Sequence, residues 1–230
     1  SLLVIILCIC CSALFGAAWA IIPGYLQAKR GSHIVITTIM FNFLASSLMV
    51  WLLSGILMEK GQQSPQSNLL PESIRLPKVQ DAFEFLGVNI SSSPMNLSFI
   101  VALIALLLFW ILIWKTRLGY EIRAVGKNQD AATYAGINVS RIIIITMTIS
   151  GAFAGLLAVN EVMGVQNRVI LNYTAGYGFT GIAVALMGRN HPIGIFFASL
   201  LFGVLFQGGT ELDFEFQSIT RDMVLLIQGL

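Results

Sequence analysis

The chain has 230 residues, 57% of them hydrophobic and only 10% charged, with 13 Lys+Arg against 11 Asp+Glu for a formal net charge of +2. Soluble domains carry roughly 25% charged residues. A water-soluble globule is therefore excluded as the main theme, as are a polyanion-binding basic protein and a disordered acidic tail.

The spacing of the few charges decides the class. Residues 1–28 are uncharged, and Lys29 and Arg30 follow. Ile34–Met58, Leu97–Trp114, Ile142–Asn160, Val169–Gly188 and Pro192–Thr210 are uncharged in turn, and a further apolar run begins at Met223. Crossing a hydrocarbon core of ~30 Å takes about 20 helical residues. In lipid every backbone N–H and C=O must pair internally, so runs of this length are helices and not open sheets. The expected fold class is all-α, a polytopic transmembrane helical bundle. Residues 1–230 read as one transmembrane domain with spans at about 2–22, 34–58, 97–114, 142–162, 171–188 and 192–209, and the start of another at 223. The chain opens at Ser1 without Met and stops within an apolar run, which reads as a piece of a longer chain. The first segment lacks the preceding positive stretch of a cleavable signal.

Alternating the loops between two sides puts Lys29, Arg30, Lys115, Arg117, Arg123, Lys127, Arg141 and Arg189 on one side. Lys60, Arg75, Lys78, Arg168 and Arg221 fall on the other. The side richer in Lys and Arg is expected to be cytoplasmic; it is called inner below, and the opposite side outer. Cys8, Cys10 and Cys11 lie in the first apolar run with no His, Asp or Glu nearby in sequence. They read as small hydrophobes rather than a metal site.

The outer loop, 59–96, contains Pro65, Pro71 and Pro77, which favour an extended path across a surface. It reads as a spacer or as a docking surface for an extracytoplasmic partner. Eleven of the 21 glycines fall between Gly151 and Gly209. Gly151 and Gly155 form a GxxxG pair, the spacing that lets helix backbones approach in lipid. Gly176, Gly178 and Gly181 open a segment that Gly188–Pro192 closes, consistent with a tilted or re-entrant helix. His191 reads as a turn residue at its boundary.

The inner loop, 115–141, is the most informative stretch. Asn128 is a good N-cap, Asp130 sits in the first turn, Ala131, Ala132 and Ala135 favour helix, and Gly136 is a natural terminator. This predicts a helix of about two turns, ~10 Å long, too short to stand alone in water. Its alanine face and Tyr134 suit insertion into a groove of the membrane domain or of a partner. Gly126-Lys127 is not a phosphate loop: Asn128 follows, and Glu121 stands where the first glycine is needed. No HExxH or GxSxG occurs either. The chain is not expected to hydrolyse nucleotide or to be an enzyme.

Gly119–Ile137, GYEIRAVGKNQDAATYAGI, resembles the coupling segment of bacterial ABC importer permeases of the branched-chain amino acid, ribose and simple-sugar type. GAFAGLLA (151–158), IMFNFLA (39–45) and the outer-loop SP…LLPESIRLP are also similar to that family. AGYGFTGIAVALMGRNHPIG (175–194) resembles its nucleoside and simple-sugar branch most. Phe41 and Phe43 depart from the family's pattern around Asn42. The likeness covers nearly all of the chain from Gly31 onward. It implies a multi-pass subunit of the bacterial cell (inner) membrane in an ATP-binding cassette importer. The implied partners are a separate ABC ATPase, a second permease subunit (identical or distinct), an extracytoplasmic solute-binding protein and the lipid bilayer, with no nucleic acid. No cofactor is implied on this chain, ATP being bound by the partner. Coupling to the ATPase would fall to Arg123, Gly126, Asn128, Ala131, Ala132, Tyr134, Gly136 and Ile137.

The spans are nearly free of the charges that mark ion pathways. That suits an uncharged polar solute, a nucleoside or a simple sugar. A zwitterionic branched-chain amino acid and an ion-coupled secondary transporter stay as alternatives. Candidate pathway residues are Asn42, Ser46 and Ser47 in the second span, Asn160 and Glu161 at the end of the fourth, and Gln166, Tyr173 and Tyr177 near the outer mouth. Amides can meet ring edges or hydroxyls, and aromatics can stack. Bonding within the bundle is the competing role for Asn42, Ser46 and Ser47.

Overall fold

The computed structural model describes residues 2–58, 61, 64–78, 95–174, 176–215 and 223. Most of the centre of the 59–96 loop, and all of the span expected from Met223 beyond that residue, lie outside the described residues. The described residues form helices and turns with three isolated β-bridges, Met58–Ser67, Gln66–Ile170 and Lys78–Asn96. The helices are α1 (Leu2–Arg30), α2 (Ile34–Ser54), α3 (Ser98–Trp110), α4 (Arg117–Lys127), α5 (Gln129–Tyr134), α6 (Val139–Ala158), α7 (Tyr177–Met187) and α8 (Pro192–Glu215). A π-helical turn extends α3 to Lys115, and another extends α6 to Val165. Five of these segments are long and apolar enough to cross a membrane. The chain divides into two units, Ser1–Thr174 and Ala175–Leu230.

In the first unit α1 and α6 run antiparallel along their length. Ser12 donates its hydroxyl to the Gly155 carbonyl at one end, and Ser140 donates to the Ala28 carbonyl (3.2 Å) at the other. Between them a Cβ on Gly16 would strike the Gly151 carbonyl, and one on Gly24 would meet the Met147 side chain. The α1 ridge is Ser12, Gly16, Ala20, Gly24 and Ala28, one small residue every four. Lipid supplies no hydrophobic drive between helices, so close backbone approach is what holds such a pair. The GxxxG of α6 thus has its partner in the first helix.

This pairing puts Lys29, Arg30 and Arg141 at the same end as α4. Val125, Ala132 and Ile142 form an inner knot there, with Ile122, Ile137 and Val139 packed against it. At the other end Leu76, Val159 and Met163 form an outer knot, with Ile5, Cys8, Ile9, Leu70, Ile74 and Leu97 around it. The proline-rich segment 64–78 crosses that end as a strap. Its Ser67, Leu70 and Leu76 amides donate to the Val169, Asn167 and Met163 carbonyls at 2.9, 2.8 and 3.0 Å.

In the second unit α7 and α8 make a helical hairpin. Gly188 and Gly194 touch backbone to backbone, and Val184, Ala198 and Phe202 pack together. The turn between them uses positive φ at Arg189 and Asn190 (52° and 54°), and Pro192 starts α8 where its missing N–H is harmless. The expected full span at 171–188 is corrected here. Residues 171–174 are turn, Asn172 and Gly176 have φ of 57° and 80°, and α7 has only 11 residues. At 1.5 Å per residue that is ~16 Å, about half a crossing. That length is too short for a sixth complete span. The charge tally therefore rests on the first unit. Lys29, Arg30, Lys115, Arg117, Arg123, Lys127 and Arg141 still outnumber Lys60, Arg75, Lys78 and Arg168.

Candidate functional site

The inner loop builds its short helix from local rules. Thr116 caps α4, accepting from the Gly119 amide at 3.0 Å. Gly119 lies so close to the Leu112 and Ile113 carbonyls that no side chain fits, which folds α4 tightly back on the end of α3. Asn128 then does two jobs. Its amide N–H closes α4 on Ala124 (3.1 Å), and its side chain accepts from Ala131 (3.0 Å) to open α5. Gly136, at φ +80°, ends α5 in a Schellman arrangement: its amide reaches Thr133 (2.9 Å), and that of Ile137 reaches Ala132 (3.0 Å). Asn138 caps α6 at once, accepting from Arg141 at 3.1 Å.

The two faces of α5 differ. Ala132 is 3% exposed and Ile137 half-buried, both in the inner knot. Ala131, Thr133 and Ala135 are exposed, and Tyr134 is 95% exposed. The expectation of one outward alanine face is therefore corrected: Ala131 looks out, and Ala132 fastens the helix to its own chain. Gly126 and Arg123 are exposed beside α5, with the Arg123 guanidinium donating to the Ile113 carbonyl. The result is a handle gripped by the membrane unit on one side and open on the other.

The outer end carries a polar cluster. Asn160 and Glu161 sit in the π-helical turn after α6, and Glu161 is 6% exposed. The Asn160 amide donates to Glu161 Oε1 at 3.1 Å, and the Ser98 hydroxyl lies 2.5 Å from Asn160 Oδ1. Asn96, also 6% exposed, accepts from the Ser98 amide at 3.0 Å and packs its amide over Gly164. Gln166 is exposed, and its backbone N–H donates to the Glu161 carbonyl at 2.8 Å. The sequence reading missed Asn96 and Ser98. The available signal was an Asn-x-Ser at the mouth of a span, the spacing of a helix-start turn.

Beside the cluster, α1, α2 and the outer half of α6 border an open cavity of about 440 Å³. Its walls include Ser12, Phe15, Met49, Val162 and Tyr173. Burial pushes the Tyr173 phenol above its ordinary pKa, and the Glu161 carboxylate pushes it the same way. Asn42 and Ser46 are exposed on α2, and the Asn42 side chain has no hydrogen-bond partner among the described residues. Asn42, Ser46 and Met49 follow one helical stripe toward the cavity wall. Tyr177 opens α7 in the second unit and is half-buried. The structure thus joins Asn160, Glu161 and Tyr173, and leaves Asn42 and Ser46 on a separate, open helix.

The family described as branched-chain amino acid transport system / permease component matches residues 1–230. The chain belongs to it. Among curated proteins, this family member is 39% identical over 210 residues to the nucleoside ABC transporter permease protein NupB of Lactococcus lactis, covering 90% of this chain and 57% of that one. It is 34% identical to the glucose ABC transporter permease protein TsgB13 of Haloferax volcanii, over 94% of this chain and 56% of that one. It is 36% identical to the guanosine ABC transporter permease protein NupP of Bacillus subtilis, over 89% and 57%. The chain spans somewhat over half the length of these relatives. No solved structure matches. Family membership and five membrane-crossing helices make it a multi-pass membrane protein.

Proposed function

We propose that the protein forms the translocation pathway of an ATP-binding cassette importer in the cell membrane, carrying a neutral polar solute of the nucleoside or simple-sugar class. The observation that carries the reading is the two-faced α5. Ala132 locks it to the membrane unit, while Ala131 and Tyr134 stand free for an ATPase to grip. Asn128, Gly136 and Ile137 set its shape, and Arg123 and Gly126 border the same surface. A docked ATPase moving α5 would transmit motion into α6 through Ala132 and Ile142. ATP would be bound and hydrolysed on that separate subunit, and this chain would carry no cofactor and no catalysis.

The solute class draws support from the relatives, whose names give nucleoside, guanosine and glucose as cargo. It also draws on charge. Among the described residues Glu161 is the one charged side chain that is buried. An amino acid zwitterion needs its ammonium and its carboxylate both compensated. Asn42 and Ser46 would face the pathway or a second permease subunit, and Gln166 would lie toward its outer mouth. Asn160 and Glu161 would border the pathway at its outer end, beside the strap against which a solute-binding protein docks.

The test is reconstitution of the full-length protein in liposomes with its ATPase, its second permease subunit and its solute-binding protein. Nucleoside or sugar uptake should require ATP and fall at least tenfold in Tyr134→Asp. Uptake that persists on a proton or sodium gradient after ATP depletion would overturn the reading.

A further inference from the structure

A second surface lies beside the handle. Helix α4 is amphipathic. Ile122 and Val125 go to the inner knot, while Arg117, Tyr120, Arg123 and Lys127 are exposed. At helical spacing Arg117, Tyr120, Ala124 and Lys127 lie on one stripe, with Arg123 flanking it. The end of α3 adds Trp110 and Trp114, each 37% exposed, and the Lys115 ammonium lies 5.4 Å from the Trp110 ring centre. Residues 110–127 hold four Lys or Arg and one acid, Glu121, which is tied to Arg117 at 3.2 Å.

The position of this patch identifies its partner. The spanning segment runs to Lys115, and Gly119 is pressed against the Leu112 and Ile113 carbonyls of that segment's last turn. The first turns of α4 are therefore one helix contact away from the hydrocarbon boundary. Tryptophan and tyrosine at that depth favour the headgroup layer, and basic side chains there attract anionic lipid. A protein-facing surface needs neither half-exposed indoles on a spanning helix nor ammonium groups at the membrane border.

We propose that the exposed face of α4, with Trp110, Trp114 and Lys115, is a binding site for an anionic phospholipid of the inner leaflet. Arg117 and Lys127 meet the headgroup phosphate, and the tryptophans meet the glycerol and upper acyl region. The bound lipid braces α4 and, through Val125 and Ala132, the base of the handle. This depends on the chain spanning a membrane and not on the importer reading.

Native mass spectrometry of the purified full-length protein, titrated with palmitoyl-oleoyl phosphatidylglycerol or the matching phosphatidylcholine, tests it. The wild type should retain phosphatidylglycerol selectively, and retention should weaken as ionic strength rises. Each charge removed should weaken it about fivefold. The double variant Arg117→Gln, Lys127→Gln should lose at least tenfold while its weak phosphatidylcholine retention stays the same. Lys127→Gln alone, at an exposed end of α4, is the second variant if the double does not fold. Unchanged phosphatidylglycerol retention in either variant overturns the proposal. Displacement of the lipid by inorganic phosphate at equal concentration overturns it in favour of a free-phosphate site. Loss of ATPase co-purification in the variants, with lipid retention intact, overturns it in favour of a protein interface.

Discussion

Ala132 and Tyr134 are two residues apart, and their substitution should differ sharply in its cost to stability. Ala132 is 3% exposed and enclosed by Val125 and Ile142, whereas Tyr134 is 95% exposed. Ala132→Arg forces a cation into an apolar knot with no acid in it. An uncompensated buried charge costs about 3–5 kcal/mol, enough to raise local opening of α5 by roughly two orders of magnitude or more. Ala132→Leu keeps the knot apolar but overpacks it, at about 1–3 kcal/mol. Tyr134→Ala removes a side chain that touches little of its own chain, so stability should change by less than about 0.5 kcal/mol. Hydrogen exchange of the purified protein in nanodiscs reads this directly. Amides of Gln129–Ile137 should exchange at least about a hundredfold faster in Ala132→Arg, roughly five- to a hundredfold faster in Ala132→Leu, and at the wild-type rate in Tyr134→Ala. On the proposed importer function, ATP-driven uptake should fall in all three. Wild-type exchange in Ala132→Arg, or accelerated exchange in Tyr134→Ala, would refute the anchored-handle geometry.

Gly151→Val places a branched side chain against Ala20 and the Gly16 carbonyl, neither of which has room to yield; thermal melting should show a loss of about 1–3 kcal/mol, and no loss would mean that α1 and α6 are not in backbone contact. Asn96→Ala removes the buried amide that joins α3 to the π-helical end of α6, leaving polar atoms of Ser98 and Asn160 short of a partner. About 1–3 kcal/mol should be lost, and limited proteolysis should cut the 64–78 strap sooner than in the wild type. The Tyr173 phenol is raised above its ordinary value near 10, so the folded state holds its proton more tightly than the unfolded state does. Its contribution is complete below about pH 10 and is lost as pH rises through the higher folded value. Melting temperatures between pH 9 and 11.5 should therefore fall more steeply in the wild type than in Tyr173→Phe, and parallel curves would contradict that environment.

The handle was legible because its signals are local. An Asn, seven helix-forming or tolerant residues and a Gly at the left-handed position fix its two ends whatever surrounds it. Its facing was not legible, since Ala131 and Ala132 are the same residue type and only the position of Val125 and Ile142 tells them apart. Asn160 and Glu161 stood out as polar groups ending an apolar run. Their partners Asn96 and Ser98 lie more than sixty residues away, and no periodicity links them.

By itself the sequence determined the solvent this protein folds in. Charge-free runs of about twenty residues have no stable place in water and only helical form in lipid. Chain chemistry also set the caps and the basic inner end. Tertiary structure decided which small residues meet, that the strap lies across the outer knot, and that Val169–Gly188 yields a half-length helix rather than a span. Hydrophobicity reports where a residue is content to be, but it does not distinguish a turn at Asn172 and Gly176 from a helix through them. That distinction is made by backbone conformation and by the neighbours that hold it.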